Sequence, residues 1–167
     1  METIHLAAWS DDDLELLKRN NTPEMTEHIG GPETDEQVLR RHQRYLRGDA
    51  GGGGMFRIAL SSGEAAGSIG FWEREWRDER VYEIGWGVLP EFQGQGIASA
   101  AARLVVDLAR AEGRLRHMHA YPSVDHPASN AVCRKAGFTL LGPTSFEYPP
   151  GNLMTCNDWV ADVGAAS

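Results

Sequence analysis

The segment Val88-Leu89-Pro90-Glu91-Phe92-Gln93-Gly94-Gln95-Gly96-Ile97-Ala98-Ser99 closes an alternating apolar run and opens a helical one. Beyond it, Ile97, Ala101, Leu104, Val105 and Leu108 fall on one face of a helix predicted over Ile97 to about Glu112. Its first turn contains no acidic residue, and none lies between Glu91 and Asp107. Other predicted helices begin with Ser10-x-x-Asp13 and Thr34-x-x-Gln37, capping-box patterns that fill their own amide donors. The helix after Gly96 leaves its N–H groups open and its dipole uncompensated, which suits an external anion. Glycine at 94 and 96 lets a phosphate approach the backbone with no Cβ in the way. The segment predicts a phosphate cradle.

Two other glycine signatures fail on spacing. A Walker A loop needs a lysine after its last glycine, and no lysine occurs between Lys18 and Lys135. A dinucleotide fingerprint needs a third glycine where Ser99 stands. It also needs an acidic residue ending the next strand, where the chain has Met118, His119 and Ala120. A plain strand-to-helix turn is the remaining alternative.

The chain has 167 residues, enough for one full core, and a single domain over 1–167 is expected. With 41% hydrophobic and 24% charged residues it is composed like a soluble globular protein. The opening, Met1 to Asp13, lacks the basic start and apolar core of a secretion signal. No run of about 18 apolar residues could span a membrane. Cys133 and Cys156 are too few for a disulfide framework and lack metal-ligand spacing, so a cytoplasmic protein is expected. The net charge of −8 argues against nucleic acid as partner and mildly favours a cationic one.

Helical and strand signals alternate along the chain. Strands are predicted near Thr3–Ala8, Met55–Leu60, Ala65–Trp72, Val81–Val88, Leu115–Tyr121, Phe138–Leu141 and Met154–Val163. Helices are predicted from Ser10, with Leu14 and Leu17 inward, and over Thr34 to about Leu46 and Pro127 to about Ala136. Gly137 takes the left-handed stop position after the last of these. Gly48–Gly54 reads as a flexible loop, and Glu73–Arg80 as a charged connection. The expectation is an α/β fold: a mixed sheet with helices on both sides.

Within Val81–Val88, Tyr82, Ile84, Trp86 and Val88 share an apolar face suited to a core. Val81, Glu83, Gly85 and Gly87 share the other. The two glycines weaken the strand and clear space beside the Glu83 carboxylate, as expected where a ligand lies against a sheet. An ion pair between Glu83 and an arginine across the sheet is the competing account.

The element order, Gln93-x-x-Gly96-x-Ala98, and Ser129-Asn130-Ala131-Val132-Cys133-Arg134-Lys135-Ala136-Gly137-Phe138 resemble the GNAT superfamily of acetyl-CoA-dependent N-acetyltransferases. The opening Trp9-Ser10-x-Asp12-Asp13-Leu14 is similar to its RimJ/RimL-like branch. The resemblance covers nearly the whole chain. It implies a three-layer fold with a mostly antiparallel sheet of about seven strands and about four helices. It implies acetyl-CoA as cosubstrate, with Gln93, Gly94, Gln95, Gly96, Ile97, Ala98 and Ser99 around the phosphates and Val88 amides on the acetyl carbonyl. Glu83 resembles the glutamate that many members use as general base, which an amine of pKa near 10 requires. Many members carry a tyrosine, five residues before the phenylalanine, that protonates the departing thiolate. Here Cys133 stands in that place, as acid or as packed thiol. The asparagine frequent at the head of this helix is matched by His126, and Asn130 is either a ligand of the pantetheine arm or a cap.

Direct transfer of acetyl to a primary amine of a small molecule or peptide is the function so implied, with no metal, membrane or nucleic acid involved and a monomer or homodimer. A non-catalytic acyl-CoA sensor is the rival from another class. His117 and His119 share a strand face, and surface or substrate-edge positions suit them better than metal ligation. Trp72, Trp76, Trp86 and Trp159 are assigned to the core or its edge. Phe146-Glu147-Tyr148-Pro149-Pro150 falls where the family places an acceptor-site wall; Glu147 and Tyr148 face an amine there or belong to a rigid loop.

Overall fold

Seven strands build one sheet in the computed structural model, which describes residues 3–48 and 53–164. They are β1 (Ile4–Ala8), β2 (Gly53–Leu60), β3 (Ala65–Trp76), β4 (Glu79–Val88), β5 (His117–Ala120), β6 (Thr139–Glu147) and β7 (Leu153–Asp162). The order is β1-β2-β3-β4-β5-β7-β6, and only β4 and β5 pair in parallel. Helices α1 (Leu14–Asn20), α2 (Pro23–Thr26), α3 (Asp35–Arg47), α4 (Ile97–Glu112) and α5 (Pro127–Lys135) complete the α/β fold. Residues 49–52 of the expected glycine-rich loop lie outside the described residues; Gly48 caps α3 and Gly53 already opens β2. No described helix is long and apolar enough to cross a membrane.

The apolar face of β4 is the core face: Tyr82 and Ile84 are buried there with Ala101, Val105, Met118 and Trp159. Helix α4 lies on it, rotated from the expected stripe. Ala101, Ala102, Val105 and Ala109 are buried, whereas Leu104 and Leu108 stand exposed at its margin. Three alanines let the helix sit close to the sheet, which pushes the longer side chains outward. On the opposite face, Asn20 of α1 reaches Ser68 of β3. A second core there joins Trp9, Leu16, Leu17, Val38 and Leu89. Leu16 is buried with Leu17, and Leu14 only half-buried, because Asp11–Asp13 form a tighter turn before α1.

The expected charged connection Glu73–Arg80 is a hairpin instead. β3 runs on to Trp76, and a two-residue turn at Arg77 and Asp78, with φ 50° and 66°, leads into β4. The charges there pair across strands, Arg80 with Glu73 at 3.3 Å and Arg74 with Glu83 at 2.8 Å. The last hairpin is also longer than its sequence signal. β6 runs past the expected end at Leu141 through Gly142 and Pro143, because it is an edge strand, where a proline is tolerated. Gly137 stops α5 as expected: at φ 93° it donates to Arg134 O, and Phe138 donates to Cys133 O.

Candidate active site

Helix α4 begins after Gly96, which is left-handed at φ 79°, and no side chain caps it. Ala100 is the first residue whose N–H finds a helical partner, the Gly96 carbonyl at 3.1 Å. The N–H groups of Ile97, Ala98 and Ser99 thus have no partner among the described residues. By contrast, Thr34 and Gln37 cap α3 reciprocally, and Thr22 caps α2. A Cβ on Gly94 (φ 77°) would meet nothing within 4 Å, so the backbone is open to a ligand. An anion at this turn would be met by main-chain groups. The side chains are committed elsewhere: Gln93 donates to Val88 O at 2.9 Å, Gln95 to Glu91 O at 3.4 Å and buried Ser99 to Gly96 O at 3.2 Å.

A gap in the sheet leads to this turn. β4 and β5 pair only through Tyr82–Met118 and Glu83–His119, and β5 ends at Ala120 while β4 continues to Val88. Leu89 donates its N–H to Ala66 on the β3 side. Alternation along the strand turns the Val88 N–H the other way, toward the side that β5 has vacated. An unpaired strand edge and an uncapped helix start are therefore consecutive on the chain. Together they fit a long ligand with a carbonyl at one end and phosphates at the other.

Glu83 is the last position at which β4 pairs with β5. Its Oε1 accepts from Arg74 Nη1 at 2.8 Å, the cross-sheet ion pair that the sequence allows. Burial pushes its carboxyl above the usual range, while hydrogen bonds from Arg74 and Trp72 and the Arg74 charge pull the other way. The space expected over the two glycines is filled by protein. A Cβ on Gly85 would lie 3.0 Å from Trp72 Cη2, and one on Gly87 would lie 3.7 Å from Asn20 Oδ1 and from Met25 Cε. The glycines admit neighbouring side chains rather than a channel.

Around this pair lies a polar and aromatic cluster that sequence reading misses. The Arg74 guanidinium lies 5.3, 5.5 and 4.9 Å from the ring centroids of Trp76, Tyr121 and Phe146. Trp76 donates to Asp158 Oδ2 at 3.1 Å, and Asp158 Oδ1 lies 2.6 Å from His119 Nδ1. The Tyr121 hydroxyl is enclosed without a hydrogen-bond partner among the described residues. Continued alternation through Trp72, Arg74 and Trp76 was the available signal, masked by the charge run.

Other expected site residues are placed differently. Asn130 fills all of its bonding capacity inside the protein: it donates to Ser123 O and His126 O and accepts from Asn157 Nδ2 and Trp159 Nε1. It is a bracket between α5 and β7, with nothing left for a pantetheine arm. Cys133 is fully enclosed in the core, its thiol pushed up to about 12 by burial. His119 is buried on Asp158 rather than at the surface, whereas His117 is half-exposed and meets Glu79 at 2.6 Å. Glu147 accepts from Gly151 N within its own loop, and the Tyr148 hydroxyl accepts from Arg41.

A family model described as Acetyltransferase (GNAT) domain matches residues 3–139. Among solved structures, a GNAT-family acetyltransferase from Bacillus anthracis superposes with TM-score 0.79 at 20% identity, covering 98% of this chain and 99% of that one. A RimL ribosomal L7/L12 alpha-N-protein acetyltransferase in complex with coenzyme A gives TM-score 0.77 at 25% identity, covering 98% and 96%. An acetyltransferase from Salmonella typhimurium that modifies the N-terminal serine of ribosomal protein L7/L12 gives 0.77 at 25%, covering 96% and 95%. No curated protein sequence matches. With the match running from β1 to the first residue of β6 and the fold agreeing over nearly the whole length, this chain belongs to the GNAT family of acetyltransferases.

Proposed function

We propose that the chain is one domain that transfers an acetyl group from acetyl-CoA directly to a primary amine within a ternary complex. The observation that carries this is the continuity of the free β4 edge, beyond Glu83 to Val88, with the uncapped start of α4. The Gly94–Ser99 amides take the phosphates, and the Val88 N–H takes the acetyl carbonyl, where charge develops during attack. Glu83 accepts the proton that an ammonium must lose before its nitrogen can attack. The C–S bond then breaks, and the nitrogen's remaining surplus proton passes to the departing thiolate. Cys133 has no part in this, because an enclosed thiol with a raised pKa is a poor proton donor there.

The Arg74–Glu83 pair and the burial of Cys133 favour a second reading, an acyl-CoA-binding sensor without turnover. Thiol release on an amine panel, measured beside equilibrium acetyl-CoA binding, separates the two. Turnover of any amine supports the enzyme; binding with no turnover across the panel supports the sensor.

A further inference from the structure

We infer that the acceptor is an amino-acid zwitterion, a molecule carrying a carboxylate within a bond or two of the amine that is acetylated. This rests on the acetyl-transfer reading above and names its substrate class. Glu83, where the amine must lose its proton, is not a free anion, since Arg74 already lies on it at 2.8 Å. A polyamine would therefore meet a neutralised pair. Asp158 is no better placed to bind a cation, because Trp76 and His119 occupy its two oxygens. Beside this pair, the group with bonding capacity to spare is the Arg74 guanidinium, a donor. A guanidinium has five N–H groups. Arg74 uses Nη1 on Glu83 and Nε on the Glu75 carbonyl at 3.3 Å, while its Nη2 meets no described residue. Three aromatic rings hold it, and its side chain is 31% exposed.

Two further features point the same way. The Tyr121 ring beside Arg74 carries a hydroxyl that is enclosed without a partner among the described residues, and a buried polar group of that kind calls for one. Arg77 stacks on Trp76 at 5.2 Å and adds a second positive charge at the same wall. A carboxylate on Arg74 Nη2 and its own amine on Glu83 would complete a head-to-tail array of four charges. Charge-assisted bonds of this kind are stronger and more directional than neutral ones. A protein N-terminus or a polyamine carries no carboxylate at that distance from its amine.

The test is steady-state thiol release with acetyl-CoA and matched acceptor sets: each amino acid, its amide and its decarboxylated amine, with spermidine and a serine-led peptide. For at least one amino acid, kcat/KM is expected to exceed that of its amide by roughly 100-fold or more, since a polar site rejects an analogue lacking its partner. Arg74→Ala should abolish that ratio, mainly through KM, and Arg74→Lys should retain part of it. Because Arg74 also bears on Glu83, each variant is compared across pH, and the acid-to-amide ratio is the deciding quantity. If Arg74→Ala does not fold, the wild-type ratio and Arg74→Lys still decide. Equal rates on acids and amides, or a preference for spermidine or the peptide, would overturn this inference and leave acetyl transfer standing. No turnover of any amine would overturn the acetyl-transfer reading and this inference with it.

Discussion

The indole of Trp72 on β3 fills the space over Gly85 on β4, with Cη2 3.0 Å from where a Cβ would stand. Gly85→Ala would press a methyl group against a ring fixed beside Glu83. Overpacking of this kind costs about 1–3 kcal/mol. Trp72→Phe in the same chain should recover most of the loss, and chemical denaturation of both variants checks it. A stable Gly85→Ala variant with an unmoved midpoint would show that the ring yields freely.

At the cradle, Gly96→Asp would set a carboxylate at a helix start that offers only N–H groups, and would add a side chain at φ 79°. Acetyl-CoA affinity should fall at least about tenfold, or 1.4 kcal/mol. Titration calorimetry on folded protein measures this. Unchanged affinity would put the phosphates elsewhere.

Glu83→Gln keeps the shape and removes the proton acceptor, so kcat/KM should drop roughly 100-fold with acetyl-CoA affinity near wild type. In the wild type, burial raises the Glu83 pKa, so activity should fall as pH drops through a point above the ordinary glutamate value. Arg74 opposes that rise, and Arg74→Ala should therefore move the acid limb to still higher pH. A limb that stays put in both variants would assign it to another group.

Cys133 gives a prediction about packing. Cys133→Ala should keep most of its turnover and lose roughly 1 kcal/mol of stability. Cys133→Tyr, which restores the residue frequent in the family, should be severely destabilised, because that position is wholly enclosed. A stable, faster Cys133→Tyr enzyme would argue for an acid at this position.

Asn130→Ala removes a side chain that meets Asn157, Trp159 and two carbonyls, leaving buried polar groups unmet at about 1–3 kcal/mol each. The thermal midpoint should fall sharply, while the acetyl-CoA affinity of the remaining folded protein changes little. Lost affinity at an unchanged midpoint would return Asn130 to the cofactor site.

What could be read from the chain follows physical rules of short range. β4 shows its period of two, and α4 its run of apolar positions after glycines, so strand, turn and helix are legible residue by residue. The Arg74 cluster is not. Glu73-Arg74-Glu75 looks like a solvated loop until cross-strand pairing with Arg80 and Glu83 is known, and Arg77-Asp78 lacks the glycine that usually marks a two-residue hairpin. Tyr121, Asp158 and Phe146 join Arg74 only through sheet order, which no local signal carries. Asn130 reads from the sequence as a ligand of the pantetheine arm or a cap, but its four partners lie on segments as distant as Trp159. The roll of α4 shows the same limit: periodicity finds an apolar helix, while small side chains choose which edge of the stripe meets the sheet.

The proposed cradle at Gly94–Ser99 offers its ligand peptide groups, which every sequence possesses, whereas the wall around Arg74 is made of side chains from β3, from β6 and from Tyr121 just after β5. Inherited change can thus rewrite the wall one residue at a time without disturbing the turn. A descendant of this chain could acquire a new acceptor while keeping its donor, and laboratory evolution aimed at Arg74, Trp76, Tyr121 and Phe146 has a small and separable set of positions to explore.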